Sequence, residues 1–265
     1  MLGRVGRGGR LLVAGFLAAV AMPAGAATGY YLVEVYSDPG RVTLDYKYWN
    51  AKSSGMIPIG APELGVGYGV NSRWYTELYG VTQQDAIQGT QMMSLNWQND
   101  VLLTQGEYPF DLAIHTDIGQ YRNQTRQGYS LEWGPALQTE WWRTQFNANL
   151  FFQRDYRIDQ GGGQPALSSL QSGLSPQGGP TQLVYQWQVR QHWRPWFNVG
   201  LQGFGELGRW DHWANRQNQS HRAGPAIFGT LHIGQQFVKY QAAYLFGSNA
   251  TLSSRTFTMR LQLGF

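Results

Sequence analysis

The sequence predicts an all-β protein: a closed antiparallel transmembrane β-barrel of about twelve strands, with roughly ten to fourteen allowed by the pattern. Three observations lead to this prediction. Apolar and polar residues alternate with a period of two, in segments of about ten residues, the length that a tilted strand needs to cross a bilayer. No segment after residue 26 has the roughly 18 consecutive apolar residues of a transmembrane helix. Short and long connections alternate between the segments.

The first 26 residues differ from the rest and predict a secretory signal peptide. Three arginines precede the apolar run LLVAGFLAAVAM, and small residues then lead to a cleavage site after Ala26. The apolar run is shorter than the roughly 20 residues that span a bilayer, which favours export over a membrane anchor. We expect residues 1–26 to be the signal peptide and residues 27–265 to form one barrel domain.

The composition excludes several classes of protein. Residues 1–26 carry three arginines and no acid, so their removal lowers the formal net charge from +4 to +1 and leaves no electrostatic case for a nucleic-acid partner. Without cysteine, neither disulfides nor thiolate metal sites can form. Charged residues make up 14% of the chain, against about 25% in ordinary soluble domains. A secreted soluble β protein is therefore the weaker alternative.

The predicted strands follow one another from about residue 41, and in each the apolar residues share one parity. In RVTLDYKYWN, for example, Val42, Leu44, Tyr46 and Tyr48 lie on one face. The other clear strands are PELGVGYGV, FDLAIHTDIG, YSLEWGPAL, WRTQFNANLFF, TQLVYQWQVR, FNVGLQGFGEL and TFTMRLQLGF, and the weaker ones are WYTELYG, MMSLNWQ, AIFGTLHIG and VKYQAAYLF. In lipid every backbone polar group must be paired, so we expect a closed barrel whose apolar parity faces lipid and whose polar parity faces the lumen.

The connections segregate by length. The predicted short turns lie at residues 71–73, 140–141, 192–194 and 234–236, with a longer one at 99–109, and the two longest loops lie at 155–180 and 208–222. Short turns on one rim and long loops on the other are typical of outer-membrane barrels, in which the short turns are periplasmic. Several tryptophans fall at or beside predicted strand ends, where we expect interfacial girdles: Trp49, Trp74, Trp97, Trp141, Trp142, Trp193 and Trp196.

The last strand, TFTMRLQLGF, resembles the C-terminal signal of bacterial outer-membrane β-barrel proteins, a terminal Phe preceded by apolar residues at alternate positions. LGVGYGVNSRWYTELYG is similar to a unit of poorly characterised, transporter-like proteobacterial barrels. The resemblance implies a place in the bacterial outer membrane, contact with its lipid and lipopolysaccharide, and recognition by the barrel-assembly machinery. The residues that would carry this recognition are Phe257, Met259, Leu261, Leu263 and Phe265.

The polar parity carries charges of both signs, which are the candidate lumen-lining residues: Asp45, Lys47, Glu63, Asp111, His115, Asp117, Glu132, Arg143, Arg190, Glu206, His232 and Arg260. These charges either pair across the lumen and plug it or line an aqueous path and set its selectivity. About twelve strands allow both, since eight leave room only for side chains and 16 to 18 leave a water channel. We expect a passive channel or transporter for a small solute. The alternative is a closed barrel that acts through its extracellular loops, in adhesion or partner binding.

We do not expect an enzyme. Ser94, His115 and Asp117 would form a Ser–His–acid set only if the fourth and fifth strands pair in the register that brings Ser94 beside His115. This set makes a lipid-modifying hydrolase the minor alternative. In the loop at 208–222, Asp211, His212 and His221 match no metal-ligand spacing, so we expect neither a metal site nor a cofactor.

Overall fold

A computed structural model shows one closed β-barrel. The structure describes residues 29–36, 38–86, 89–122, 127–157, 179–249 and 252–265. The predicted signal peptide, residues 1–26, lies outside the described residues, as does most of the predicted long loop at 155–180. Within the described ranges, no helix is long and apolar enough to cross a membrane.

Twelve long strands form the barrel wall, and a thirteenth, two-residue strand is attached to β9. Their bounds are β1 (Val42–Ser53), β2 (Ile59–Asn71), β3 (Trp74–Asp85), β4 (Gly89–Leu102), β5 (Asp111–Arg122), β6 (Gln127–Trp141), β7 (Thr144–Arg157), β8 (Gln182–Arg194), β9 (Phe197–Arg209), β10 (His212–Trp213), β11 (Ser220–Ile233), β12 (Gln236–Asn249) and β13 (Leu252–Gly264). All neighbouring strands are antiparallel, and β13 closes the barrel against β1, with Lys47 opposite Arg260. The predicted closed antiparallel barrel of about twelve strands is confirmed.

The two rims differ in the length of their connections. On one, here named the short-turn rim, β2 ends at Asn71 and β3 begins at Trp74, and the turns after β6, β8 and β11 are equally tight. The opposite, long-loop rim carries the long connections after β7 and β9, the latter with β10 and a 3-10 helix (Arg216–Asn218). The turns after β6 and β8 come a few residues later than predicted, because the alternation continues through the polar residues at these strand ends.

The outer face is apolar and the inner face is polar, the reverse of a soluble barrel. Leu64 and Val66, on the outer parity of β2, are each 56% exposed. Glu63, on the inner parity of the same strand, is 3% exposed. Tryptophans crowd the short-turn rim on the outside: Trp74, Trp141, Trp142, Trp193 and Trp196 are all exposed there. This is the arrangement of an interfacial girdle.

Residues 29–36, here named the lumenal segment, lie inside the barrel in a position that the sequence analysis did not predict. Tyr31, Leu32, Val33 and Val35 are each at most 4% exposed although they belong to no strand. The segment enters from the short-turn rim, where the Gly40 N–H donates to the Gly69 carbonyl at 2.7 Å. Eight extended residues reach at most about 29 Å, roughly the thickness of a bilayer's hydrocarbon core. The segment is therefore long enough to occupy much of the lumen.

Candidate functional site

The lumenal segment needs space, and the inner face of β2 provides it. Gly65, Gly67 and Gly69 follow each other on the inner parity of the LGVGYGV strand. A Cβ on Gly65 would collide with the Glu77 side chain, and a Cβ on Gly69 would collide with the carbonyl oxygen of Asp38. These glycines therefore admit large side chains from β3 and the backbone that leads into the lumen.

One side of the lumen, here named the acidic wall, carries a buried carboxylate on each of five consecutive strands. Its members are Glu63 on β2, Glu77 on β3, Asp100 on β4, Asp117 on β5 and Glu132 on β6. Each is at most 7% exposed, so each needs a partner to compensate for lost hydration.

The partners of the acidic wall come mostly from the barrel itself. Lys47 Nζ lies 2.8 Å from Glu77 Oε1. Asp117 accepts hydrogen bonds from Tyr79 Oη at 2.6 Å and from Asn96 Nδ2 at 2.7 Å. The acidic wall is thus held by strands β1, β3 and β4.

His115 bridges two carboxylates of the acidic wall. Its Nδ1 lies 2.6 Å from Asp100 Oδ1, and its Nε2 lies 3.3 Å from Glu132 Oε1. The ring is fully buried and packs against Phe151, with 4.6 Å between the ring centroids. An imidazole hydrogen-bonded to Asp100, close to Glu132 and packed against an aromatic ring is a structural link between β4, β5 and β6.

The opposite side, here named the basic wall, carries four cations: Arg190 on β8, Arg222 on β11, Lys239 on β12 and Arg260 on β13. All four contact the lumenal segment or the residue that leads into it. Two of these contacts are ion pairs. Arg190 Nη2 lies 3.6 Å from Glu34 Oε1, and Lys239 Nζ lies 2.7 Å from Asp38 Oδ2.

The other two cations contact the segment's backbone and its aromatic tip. Arg260 Nη1 donates to the Leu32 carbonyl at 3.3 Å, while its Nη2 is paired with Asp45 Oδ2 at 2.5 Å. The Arg222 guanidinium lies 4.5 Å from the centroid of the Tyr30 ring, a cation–π distance. The basic wall is therefore contacted mainly by the segment. The acidic wall is held mainly by the barrel, although Tyr31 of the segment also reaches it, with its ring centroid 4.5 Å from Lys47 Nζ.

Neutral side chains of the wall satisfy the segment's peptide groups. The Val33 N–H donates to Gln186 Oε1 at 3.1 Å, and Asn149 Nδ2 donates to the Val33 carbonyl at 2.9 Å. Thr258 Oγ1 donates to the Tyr30 carbonyl at 2.5 Å. A strand-like segment without a pairing strand needs such partners, since buried peptide groups are costly when unpaired.

The cations of the basic wall favour the ionised form of Glu34 in the segment. Burial raises the pKa of the Glu34 carboxyl, but the positive charges around it, of which Lys239 and Arg190 are the strongest, outweigh burial and bring the pKa below its ordinary value. Nearer the rim, burial and a hydrogen bond to Asp111 raise the pKa of the Tyr36 hydroxyl to about 12. At neutral pH Glu34 is thus an anion that faces cations, and Tyr36 is a neutral donor.

The twelve sequence-predicted lumen residues fall into three groups. Seven are buried inside the barrel: Asp45, Lys47, Glu63, His115, Asp117, Glu132 and Arg260. Arg190 is partly buried against Glu34, Asp111 meets Tyr36 near the short-turn rim, and Glu206 lies on the inner parity of β9 but is exposed. The structure does not bring the last two into the lumen: Arg143 is exposed in the turn after β6, and His232 is exposed next to the end of β11.

The register that the Ser–His–acid set requires is absent. Ser94 pairs with Tyr121, and Asp100 is the residue opposite His115. β4 continues to Leu102, past the polar Asn99 and Asp100 that suggested a turn, and this extension displaces Ser94 from His115. The structure therefore leaves His115 beside carboxylates rather than beside a hydroxyl nucleophile.

The residues of the loop before β11 also stay apart. Asp211 is paired with Arg209 at 2.8 Å, and His221 Nδ1 lies 2.8 Å from Tyr185 Oη. In the part of the chain that the structure describes, no group of three or more His, Cys, Asp or Glu side chains could hold a metal ion.

Several lumen residues escaped the sequence analysis. Glu77, Asp100 and Arg222 lie on strands whose alternation is weak, and Lys239 lies in the weak segment VKYQAAYLF. Trp49 was predicted at a strand end, which is wrong, because β1 continues to Ser53 and Trp49 turns inward. Its ring meets Tyr30 edge-on, with 5.2 Å between the centroids. Parity applied to the weak strands would have found Glu77 and Lys239, whereas Asp100 and Arg222 fell in predicted connections.

Comparison with solved structures identifies the architecture. The translocator domain of the autotransporter NalP from Neisseria meningitidis superimposes with a TM-score of 0.51 at 9% identity, covering 86% of this chain and 89% of that one. The COG4313 outer membrane channel from Pseudomonas putida F1 gives 0.54 at 10% identity, covering 88% and 98%. The fold is that of an outer-membrane β-barrel. No protein-family model matches the sequence, and neither does any curated protein.

Proposed function

We propose that the protein is a channel of the bacterial outer membrane for a small solute, and that the lumenal segment closes it. The observation that carries the proposal is the segment's position: Leu32 and Val33 are each 1% exposed inside the barrel, where Val33 packs in one cluster with apolar residues of the wall. A lumen filled only by its own side chains would need no such segment. Here residues 29–36 fill the lumen, and because they belong to no strand they can leave it without breaking the barrel wall.

The geometry of the segment supports its removal. It is bound to the wall by side-chain hydrogen bonds and ion pairs, and it pairs with no strand. Each such bond contributes about 1 kcal/mol, because water replaces it when the segment leaves. A strand of the wall, in contrast, has a full ladder of backbone hydrogen bonds on both sides.

The short-turn rim is the periplasmic side in this proposal, because short turns face the periplasm in outer-membrane barrels. The segment then enters from the periplasm, on the side where Asp38 and Lys239 meet. Exposed apolar residues of β13, including Phe257 and Leu261, and Phe265 directly after it face lipid and lipopolysaccharide and remain the proposed signal for the assembly machinery. The COG4313 protein from Pseudomonas putida F1, which has a similar fold, is named as an outer membrane channel, which agrees with the proposal.

Solute uptake by proteoliposomes tests the proposed function. We expect vesicles that contain the full chain to swell slowly in small neutral and charged solutes, and vesicles that contain a variant lacking residues 29–36 to swell much faster. Circular dichroism and resistance to unfolding in the detergent sample show whether the variant keeps its barrel. A folded variant that admits no solute would contradict the channel and favour the alternative in which the loops act.

A further inference from the structure

The basic wall has binding capacity that the barrel does not use. Of its four cations, Arg260 alone is tightly paired with a carboxylate of the wall, at 2.5 Å from Asp45. Among the described residues, Arg190 Nε and the Nε and Nη1 atoms of Arg222 are buried without a hydrogen-bond partner. Unsatisfied guanidinium groups are costly to bury, and a planar carboxylate is the partner that fits them best.

Glu34 places a carboxylate at this wall, but it is held loosely. Its Oε1 lies 3.6 Å from Arg190 Nη2, which is longer than a hydrogen bond, and the Glu34 side chain is 29% exposed. A free carboxylate that reached normal hydrogen-bond distance would bind the same guanidinium better. The Glu34 carboxylate therefore occupies a place at Arg190 that another carboxylate can take over.

The surroundings of the basic wall are apolar. Phe228 lies beneath the Arg190 guanidinium, 4.6 Å from its ring centroid, and belongs to an inner cluster with Phe204, Ala226, Ala243 and Leu245. The Tyr30 ring of the segment packs against this cluster. A solute that takes the segment's place thus meets cations together with an apolar, partly aromatic surface.

A cleft gives access to this place from the short-turn rim. It has a volume of about 40 Å³ and is lined by Glu34, Arg190, Phe228, Lys239 and Arg260. This is room for a few water molecules, far below the roughly 300 to 1,000 Å³ of a small-molecule site. A small organic anion can therefore lie against the cations only in the place that the Glu34 side chain vacates.

We propose that the basic wall binds the carboxylate of a small organic anion with an apolar body, and that Glu34 holds this place while the lumenal segment is seated. The proposal rests on the proposed function, since it names the class of solute. Binding of the anion displaces Glu34, and the segment loses its contact with Arg190. The solute that the channel carries is then also the agent that opens it.

The test uses the full chain with one substitution, Val33→Cys, which gives the protein its sole thiol because the sequence has no cysteine. Val33 is 1% exposed, so maleimide labelling reports release of the segment. Sodium benzoate is the probe, and benzamide is its neutral counterpart of similar shape. We expect benzoate to accelerate labelling and benzamide to leave it unchanged.

The variants locate the effect. Arg190→Gln should raise the benzoate concentration for half-maximal acceleration about tenfold, the loss of roughly 1.4 kcal/mol of binding. Arg190→Lys should retain much of the response, and Arg143→Gln, an exposed arginine in a turn, should respond like the parent. If Arg190→Gln does not fold, Lys239→Gln takes its place with the same expectation.

Three results would overturn the proposal: no acceleration by benzoate, equal acceleration by benzamide, or an unchanged benzoate response in the folded Arg190→Gln and Lys239→Gln variants. The labelling experiment does not depend on transport. If liposomes take up solute but benzoate fails to accelerate labelling of the Val33→Cys variant, the proposed channel is supported and the proposed anion site is contradicted. If benzoate accelerates labelling but no solute enters the vesicles, the proposed anion site is supported and the proposed channel is contradicted.

Discussion

The acidic wall and the basic wall bury charges of opposite sign in the same lumen and obtain their partners from different places. Glu77, Asp117 and His115 are compensated by side chains of other strands of the barrel. Arg190 and Lys239 are compensated by Glu34 and Asp38, which belong to no strand. The barrel itself therefore supplies most partners of one wall, and a removable segment supplies the ion-pair partners of Arg190 and Lys239 on the other. The difference teaches that a lumen can be rigid on one side and adjustable on the other.

The largest effect should come from the acidic wall. Lys47→Met removes the ammonium group that contacts the buried carboxylates of Glu77 and Asp45. Because breaking a buried ion pair leaves an uncompensated charge, we expect the free energy of unfolding to fall by about 3–5 kcal/mol. The measurement is the free energy of unfolding in urea from lipid vesicles. Lys52→Met, on the outer parity of the same strand, is the matched control and should change it by less than about 0.5 kcal/mol. Equal losses in the two variants would contradict the assignment of Lys47 to a buried network.

The next effect should appear at the entrance of the segment. Gly69→Ala places a Cβ against the Asp38 carbonyl and should expel the lumenal segment, because a backbone atom cannot move aside as a flexible side chain can. We expect labelling of Val33→Cys to accelerate about tenfold or more. Gly80→Ala, whose Cβ would meet the flexible end of Met92, serves as the control. Equal labelling rates in both would mean that the segment does not enter across Gly69.

A smaller effect is expected on the basic wall. Arg190→Met removes an ion pair whose side chains are 18% and 29% exposed, so its cost in unfolding free energy should be about 1 kcal/mol or less. The same urea titration measures it beside Lys47→Met. A loss as large as that of Lys47→Met would remove the distinction between the two walls, since it would show that the barrel depends on both equally.

The smallest effect is expected outside the lumen. Arg209 and Asp211 form an exposed pair in the connection after β9, and the hydrogen bond from Arg209 lowers the pKa of the Asp211 carboxyl. Arg209→Ala should leave both the unfolding transition and the labelling of Val33→Cys unchanged within error, because exposed pairs are screened by water. A clear change in labelling would place this loop in contact with the segment.

The barrel could be predicted from the sequence because a period of two is imposed on every strand by the same two environments, lipid outside and water or polar groups inside. Parity likewise placed Asp45, Glu63 and Arg260 on the inner face. Strand pairing could not be predicted as well. Asn99 and Asp100 have the composition of a turn, yet they lie within β4, and Asp100 takes the place opposite His115.

The lumenal segment could not be predicted because its physical environment is unusual. GYYLVEV is a short, mainly apolar run followed by the turn residues at 38–40, a pattern that favours a buried strand over an unpaired segment inside a barrel. Its partners, among them Asn149, Gln186 and Thr258, are far away along the chain. Such long-range contacts become visible only when the barrel is closed.

Closure of the lumen by residues 29–36 is the claim on which both proposals depend. Single-channel recording in planar bilayers tests it most directly, with the full chain and the variant lacking residues 29–36 compared at equal protein and salt. We expect the full chain to be closed for most of the recording and the variant to show steady, larger conductance. Equal conductance in the two proteins would contradict it, since the segment would then not be what closes the barrel.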